Sequence, residues 1–231
     1  MGFSSSKSDT KPVRLNISNM MKDSETKIDK KRYLNSLLFS TLFFALSIVL
    51  FNVTDSFTNK YPGKPVSDLI LDNIPVMHFY AIYIYGPALI WLFLLVVCFF
   101  KPRSFPYVLK TMALLIVVRS LFTIFTHIGP PDHTVVKGYN AFASLVIKQI
   151  DFSDDMFFSG HTALPFLMGL IFWRYRGLRI IFISSSIVFG IVVLACHVHY
   201  SIDVFAAFFI AHSIYIISKK VFAWDYRYFA G

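Results

Sequence analysis

Six apolar stretches, covering roughly residues 34–53, 78–100, 107–128, 156–173, 178–197 and 201–218, constrain this chain more than any other feature. About 20 apolar residues in helical form span the hydrocarbon core of a bilayer, where backbone polar groups find no water and must bond within the segment. The first three stretches and the fifth reach that length. The fourth and sixth are shorter and fit as spans if their polar ends face a shared cavity rather than lipid. The expectation is an all-α, polytopic membrane protein with six transmembrane helices. Composition agrees: 56% of the 231 residues are hydrophobic and 15% charged, with a mean hydropathy of +0.61. A soluble domain carries about a quarter charged residues.

The formal net charge of +9 does not form one basic stripe, which argues against nucleic acid as a partner. Its lysines and arginines instead punctuate the apolar stretches. The N-terminal arm, Lys101–Arg103, the Arg174, Arg176 and Arg179 link, and the tail with Lys219, Lys220 and Arg227 all fall on one side. By the positive-inside rule both termini are cytoplasmic, and the loops at 54–77 (where Lys60 and Lys64 are offset by Asp55, Asp68 and Asp72), 129–155 and 197–200 face the periplasm, lumen or exterior. Residues 1–33 are polar, lack the apolar core of a signal peptide and read as a disordered basic arm. The six-span domain then covers 34–220, and 221–231 is a short cytoplasmic tail. The two cysteines, Cys98 and Cys196, read as buried thiols.

Two short stretches carry candidate chemistry. Ser159-Gly160-His161-Thr162 opens the fourth helix, so an imidazole sits at the water interface beside a helix N-terminus. There the small glycine lets a phosphate approach the backbone amides and the helix dipole favours an anion. In the second, His199 and Asp203 lie at i and i+4 on one face if the sixth helix begins near residue 199. A carboxylate there orients the imidazole through one ring nitrogen and leaves the other as a nucleophile or base. Topology places His161 and His199 on the same outer face, as a shared site requires. A third element is Arg119, well inside an apolar run. It needs either a bound anion such as phosphate or a buried carboxylate, Asp203 or Asp155.

These residues resemble the signature motifs of the type 2 phosphatidic acid phosphatase superfamily, and within it the sphingomyelin synthase-like branch. That branch is similar in an Asp six residues before the first histidine (here Asp155), a Ser-Gly-His-Thr sequence, and a His-Tyr-x-x-Asp-Val sequence from His199 through Tyr200 and Asp203 to Val204. Its third-helix motif resembles Arg119, Thr126 and Pro130–Pro131. The resemblance spans about residues 107–215 and implies a helical bundle of that superfamily.

Departures from the phosphatase branch are informative. Those enzymes resemble one another in a Lys-x6-Arg-Pro motif, absent here, and in a Ser-Arg pair where this chain has Val192 and Val193. A phosphate monoester with up to two negative charges wants that cationic clamp; a diester, with one, needs less. The resemblance thus implies transfer of a phospho-headgroup from a glycerophospholipid to ceramide or a similar lipid alcohol. His199, oriented by Asp203, is the implied nucleophile and His161 the implied acid and base. Arg119, Asp155, Ser159, Gly160 and Tyr200 are implied on the substrate side. Membrane lipids are the implied partners, and no metal or cofactor is called for. A lipid phosphate or pyrophosphate phosphatase, or a phospholipase C-like hydrolase, is the alternative. Among the other residues, His197 reads as solvated in preference to a pocket neighbour, His212 as a packed helix histidine, and His127 and His133 as flanking the Pro130–Pro131 turn, with a place at the site's mouth as the lesser reading. Trp91, Trp173 and Trp224 read as interfacial anchors.

Overall fold

The computed structural model of the protein describes residues 11–61, 63–126, 128–131 and 157–230, and all regular structure among them is helical. The helices are α1 (Lys11–Lys60), α2 (Tyr80–Phe100), α3 (Phe105–Thr126), α4 (Gly160–Ile171), α5 (Arg176–Ala195), α6 (Ser201–Val221) and α7 (Ala223–Ala230). Single 3-10 turns occupy Leu71–Asn73 and Pro102–Ser104. The chain divides into two units, Met1–Phe39 and Ser40–Gly231. In the first, helix begins at Lys11, inside the arm that the sequence pointed to as disordered. After Pro12 that stretch contains no proline or glycine, and nothing interrupts a helix once begun.

Helices α2, α3, α5 and α6 of the second unit have the length and apolarity of membrane spans, and so does the Lys30–Thr58 part of α1. Their outward faces carry large apolar side chains: Leu89 and Leu92 on α2, Ile187 and Ile191 on α5, Phe205 and Phe209 on α6 are all half or more exposed. A soluble protein would bury such faces, and here hydrocarbon covers them. Hydroxyls on these helices bond back to the preceding turn, as Ser185 does to the Ile181 carbonyl at 2.8 Å and Ser213 to Phe209 at 2.9 Å, which satisfies them within the segment.

The fourth apolar stretch departs from its expected 156–173. Its helix, α4, has 12 residues, about 18 Å at 1.5 Å per residue, and does not cross a bilayer alone. It has no need to, because it is the centre of the bundle, packed mainly on α5 and α6. Ala163, Leu167 and Met168 are fully buried within it. Gly190 of α5 makes the close approach possible: a Cβ there would stand 3.1 Å from Val204 and 3.5 Å from the Thr162 hydroxyl. Small residues at helix interfaces serve this purpose in membranes.

The C-terminal tail is a docked helix. Phe229 of α7 is 7% exposed and packs in one cluster with Tyr107 and Phe172. Asp225 receives the Lys110 ammonium at 2.7 Å, with both side chains buried. Nearby the Tyr107 and Ser218 hydroxyls bond at 2.8 Å, and Lys101 lies 3.7 Å above the Tyr175 ring.

Candidate active site

The other end of the bundle brings the two histidine motifs together. α5 ends in a Schellman turn: the Val198 amide bonds back to the Val193 carbonyl and the His197 amide to Leu194. His197 takes the left-handed position of that turn, φ 53°, where glycine is usual. The backbone then re-extends at Tyr200 and enters α6 at Ser201. This reversal turns His199 inward, where it is fully buried. Its Nδ1 stands 3.5 Å from Asp203 Oδ2, at the edge of hydrogen-bond range, and catalytic pairs commonly tighten when substrate binds. The same Asp203 oxygen accepts the Tyr200 amide at 3.0 Å, so the carboxylate closes the first turn of α6 while facing the imidazole.

Phe158 precedes the Ser159-Gly160-His161 motif and is also left-handed, φ 36°. Arg119 of α3 fixes this turn. Its guanidinium donates to the Phe158 carbonyl and packs 5.7 Å from the Phe158 ring centroid. The Ser159 amide donates to the Asp203 carbonyl at 3.1 Å, a backbone bond that joins the two motifs. His161, in the first turn of α4, stacks on Tyr83 of α2 with ring centroids 4.9 Å apart and planes 15° from parallel. Arg119 and His199 are both close enough to act on it electrostatically.

The two helix N-termini at this site are treated differently. At α6, the Ser201 amide is taken by Asp68 at 2.7 Å and the Tyr200 amide by Asp203. At α4, Ser159 occupies the capping position and makes no side-chain cap bond. The amides of a first helical turn have no partner within the helix. Around this uncapped terminus Ser159 Oγ, Thr162 Oγ1, His161 Nδ1, both ring nitrogens of His199 and Asp203 Oδ1 are buried without a hydrogen-bond partner. Such groups are costly to leave unpaired, and a polar ligand at this terminus would supply the missing bonds.

Tyr200 points away from this cluster. Its hydroxyl donates to the Gly129 carbonyl at 2.9 Å and accepts the Val66 amide at 3.1 Å. Gly129 has to be glycine, since a Cβ would lie 2.2 Å from the Gly63 carbonyl oxygen. A cavity of about 560 Å³ opens beside this junction, lined by Asp68, Asp72, Leu71, Pro131, His197 and Tyr200 among others. His197, which the sequence pointed to as solvated, is 6% exposed and has an unpartnered Nε2. The Schellman turn swings it inward. Trp91 also departs from its reading as an anchor: it lies midway along α2 and lines two narrow apolar crevices, with Gly160 and His161 in one and Gly160 and Arg119 in the other. Val192 and Val193 are buried in an apolar cluster with Tyr83 and Val204. Asp155, His127 and His133 lie outside the described residues. Asp68, by contrast, was legible only as a loop charge.

Residues 154–220 match the family model described as PAP2 superfamily C-terminal. Both histidine motifs, Ser159-Gly160-His161 and His199 to Asp203, fall within that match. Sphingomyelin synthase-related protein 1 from Homo sapiens is 28% identical over 205 residues, covering 78% of this chain and 48% of the relative. The chain thus spans about half the length of the curated relative it matches. No solved structure matches. Both similarities run in the direction of the motifs: the family model is one of the PAP2 superfamily, and the relative bears the name of a sphingomyelin synthase-related protein.

Proposed function

We propose that the protein is a lipid phosphotransferase that moves a phospho-headgroup from a glycerophospholipid to ceramide or a similar lipid alcohol. The observation that carries this reading is the buried His199–Asp203 pair beside an uncapped helix N-terminus, with His161 in that helix's first turn. Asp203 holds His199 through Nδ1 and leaves Nε2 to attack phosphorus. The new N–P bond forms as the bond to the diacylglycerol oxygen breaks, and His161 donates a proton to that oxygen. In the second step His161 takes the proton of the acceptor hydroxyl, whose oxygen bonds phosphorus as the N–P bond breaks. The phosphoryl oxygens rest against the amides of α4 and the Ser159 hydroxyl, where the helix dipole stabilises the charge that builds in the transition state. Arg119 holds the Phe158 carbonyl and adds positive charge to the same turn. Asp155 is assigned to orienting His161 or holding the headgroup.

A diester donor suits this charge balance. Val192 and Val193 stand where the phosphatase branch places a Ser-Arg pair, and Lys110 is committed to Asp225 in the first third of α3. The narrow crevices beside Gly160 are lined largely by apolar side chains, a character that suits acyl chains better than water. The lysine and arginine distribution supports an orientation with both termini in the cytoplasm and the site toward the periplasm, lumen or exterior.

The test is turnover of headgroup-labelled phospholipid by the purified protein in detergent, with and without ceramide. The reading expects diacylglycerol together with a new ceramide-linked phospholipid that forms only when ceramide is present. Release of free phosphate from phosphatidate or an isoprenyl pyrophosphate would select a phosphatase. Release of the phospho-headgroup to water in both arms would select a phospholipase C-like hydrolase.

A further inference from the structure

The loop between α1 and α2 holds an acid that no motif singles out. Asp68 is 8% exposed although it lies outside every helix. Its Oδ1 accepts the Ile70 amide at 2.9 Å and the Leu71 amide at 3.1 Å, which folds the loop into a tight turn around the side chain. Its Oδ2 accepts both the amide and the hydroxyl of Ser201, at 2.7 and 2.8 Å. Ser201 is the first residue of α6, two positions after His199 and two before Asp203. The loop is fastened on either side of that contact as well, by Val66 to the Tyr200 hydroxyl and by the Met77 amide to the Ala195 carbonyl at 2.7 Å.

Burial alone would raise the Asp68 carboxyl, but the hydrogen bonds from Ser201, Leu71 and Ile70 outweigh it and hold the group below its ordinary 3.8. The residue is therefore an ionised acceptor at a helix N-terminus, where both the dipole and the charge-assisted bonds favour it. The opposite side of the same turn is held by Asp203 through the Tyr200 amide. Two carboxylates thus clamp the segment that presents His199, and only one of them belongs to the histidine motif.

We propose that Asp68 is a positioning residue for headgroup transfer, fixing the first turn of α6 through Ser201 so that His199 and Asp203 stay in register with the phosphate site at α4. This rests on the reading of His199 as nucleophile. Asp68 does not touch reacting atoms, and its loss displaces the nucleophile without altering the surfaces that bind lipid. A displacement of about 1 Å costs up to about 100-fold in rate, so the effect belongs in kcat rather than KM.

The experiment is steady-state transfer by the full chain in detergent, with headgroup-labelled phospholipid and ceramide, for Asp68→Asn, Asp203→Asn, their double variant, Ser201→Ala and His199→Ala. Asp68→Asn is expected to lower kcat about 10- to 100-fold while KM stays within about twofold. In the Asp203→Asn background the same change is expected to cost less than about threefold, because the pair it serves is already broken. A full multiplicative loss in that background, or a loss confined to KM, would overturn the assignment. Should Asp68→Asn fail to assemble, Ser201→Ala removes one bond of the same clasp: a loss of about threefold in kcat supports the role, and an unchanged kcat sinks it. Failure of the transfer reading is separable. His199→Ala with full turnover removes the nucleophile itself, whereas an inactive His199→Ala beside a fully active Asp68→Asn removes only the part given to Asp68.

Discussion

The two ends of this helix bundle bury polar groups in opposite ways. Around α7, burial goes with pairing: Lys110 meets Asp225 at 2.7 Å and Tyr107 meets Ser218 at 2.8 Å. Around the N-termini of α4 and α6, Ser159, His161, His199 and Asp203 are just as buried, yet Ser159 Oγ, His161 Nδ1, both nitrogens of His199 and Asp203 Oδ1 lack a hydrogen-bond partner. An unsatisfied buried group costs about 1–3 kcal/mol, and a fold tolerates a cluster of them where a ligand is to supply the missing bonds. On the proposed reading, the difference separates polar groups that hold the helices together from those kept ready for a substrate.

The largest effect that can break this comparison comes from His199→Ala. Turnover should fall about 10⁴-fold or more, while the melting temperature in detergent stays level or rises because two unsatisfied nitrogens leave the interior. A clear fall in melting temperature would make His199 a structural group after all. Asp203→Asn comes next, with about a 10³-fold loss of turnover expected from the misoriented imidazole. That variant keeps one oxygen to accept the Tyr200 amide, so circular dichroism should show α-helix undiminished.

Lys110→Met inverts the pattern. Taking the ammonium away from buried Asp225 costs about 3–5 kcal/mol of stability, read as a lower unfolding midpoint, while turnover per folded molecule is unchanged. Adding Asp225→Leu should recover most of the loss. The smallest effect is on acid stability. Because Asp68 is held below its ordinary 3.8 when folded, its contribution is complete above that value and fades as pH falls through the lower folded value. Melting curves of Asp68→Asn should therefore lose part of the acid-side decline that the parent protein shows.

Legibility in the sequence followed the range of the interactions. Spans and histidine motifs could be read because their information is local: about 20 apolar residues for a helix, four residues from His199 to Asp203. The shortness of α4 was hinted at by its weak apolar run, but its central place depends on α5 and α6 closing around it. Asp68 was read only as a loop charge, since its partner Ser201 lies 133 residues away and nothing in the loop announces the contact. His197 was misjudged for a subtler reason. Its burial follows from a left-handed turn after α5, in a position where glycine would have given the signal. The docking of α7 was equally hidden, because an eight-residue segment with Asp225 and Arg227 looks like a solvated tail until Lys110 supplies the partner.

The central claim is that His199 carries the headgroup covalently. Its most direct test is a single-turnover reaction of the purified protein with phospholipid labelled at phosphorus, quenched with denaturant in one sample before ceramide is added and in another after. The account predicts protein-bound label, stable in base and lost in acid as an N–P bond requires, absent from His199→Ala, and discharged onto ceramide when the acceptor is supplied. Formation of the ceramide-linked product at full rate by His199→Ala, with no label on the protein at any time, would contradict it.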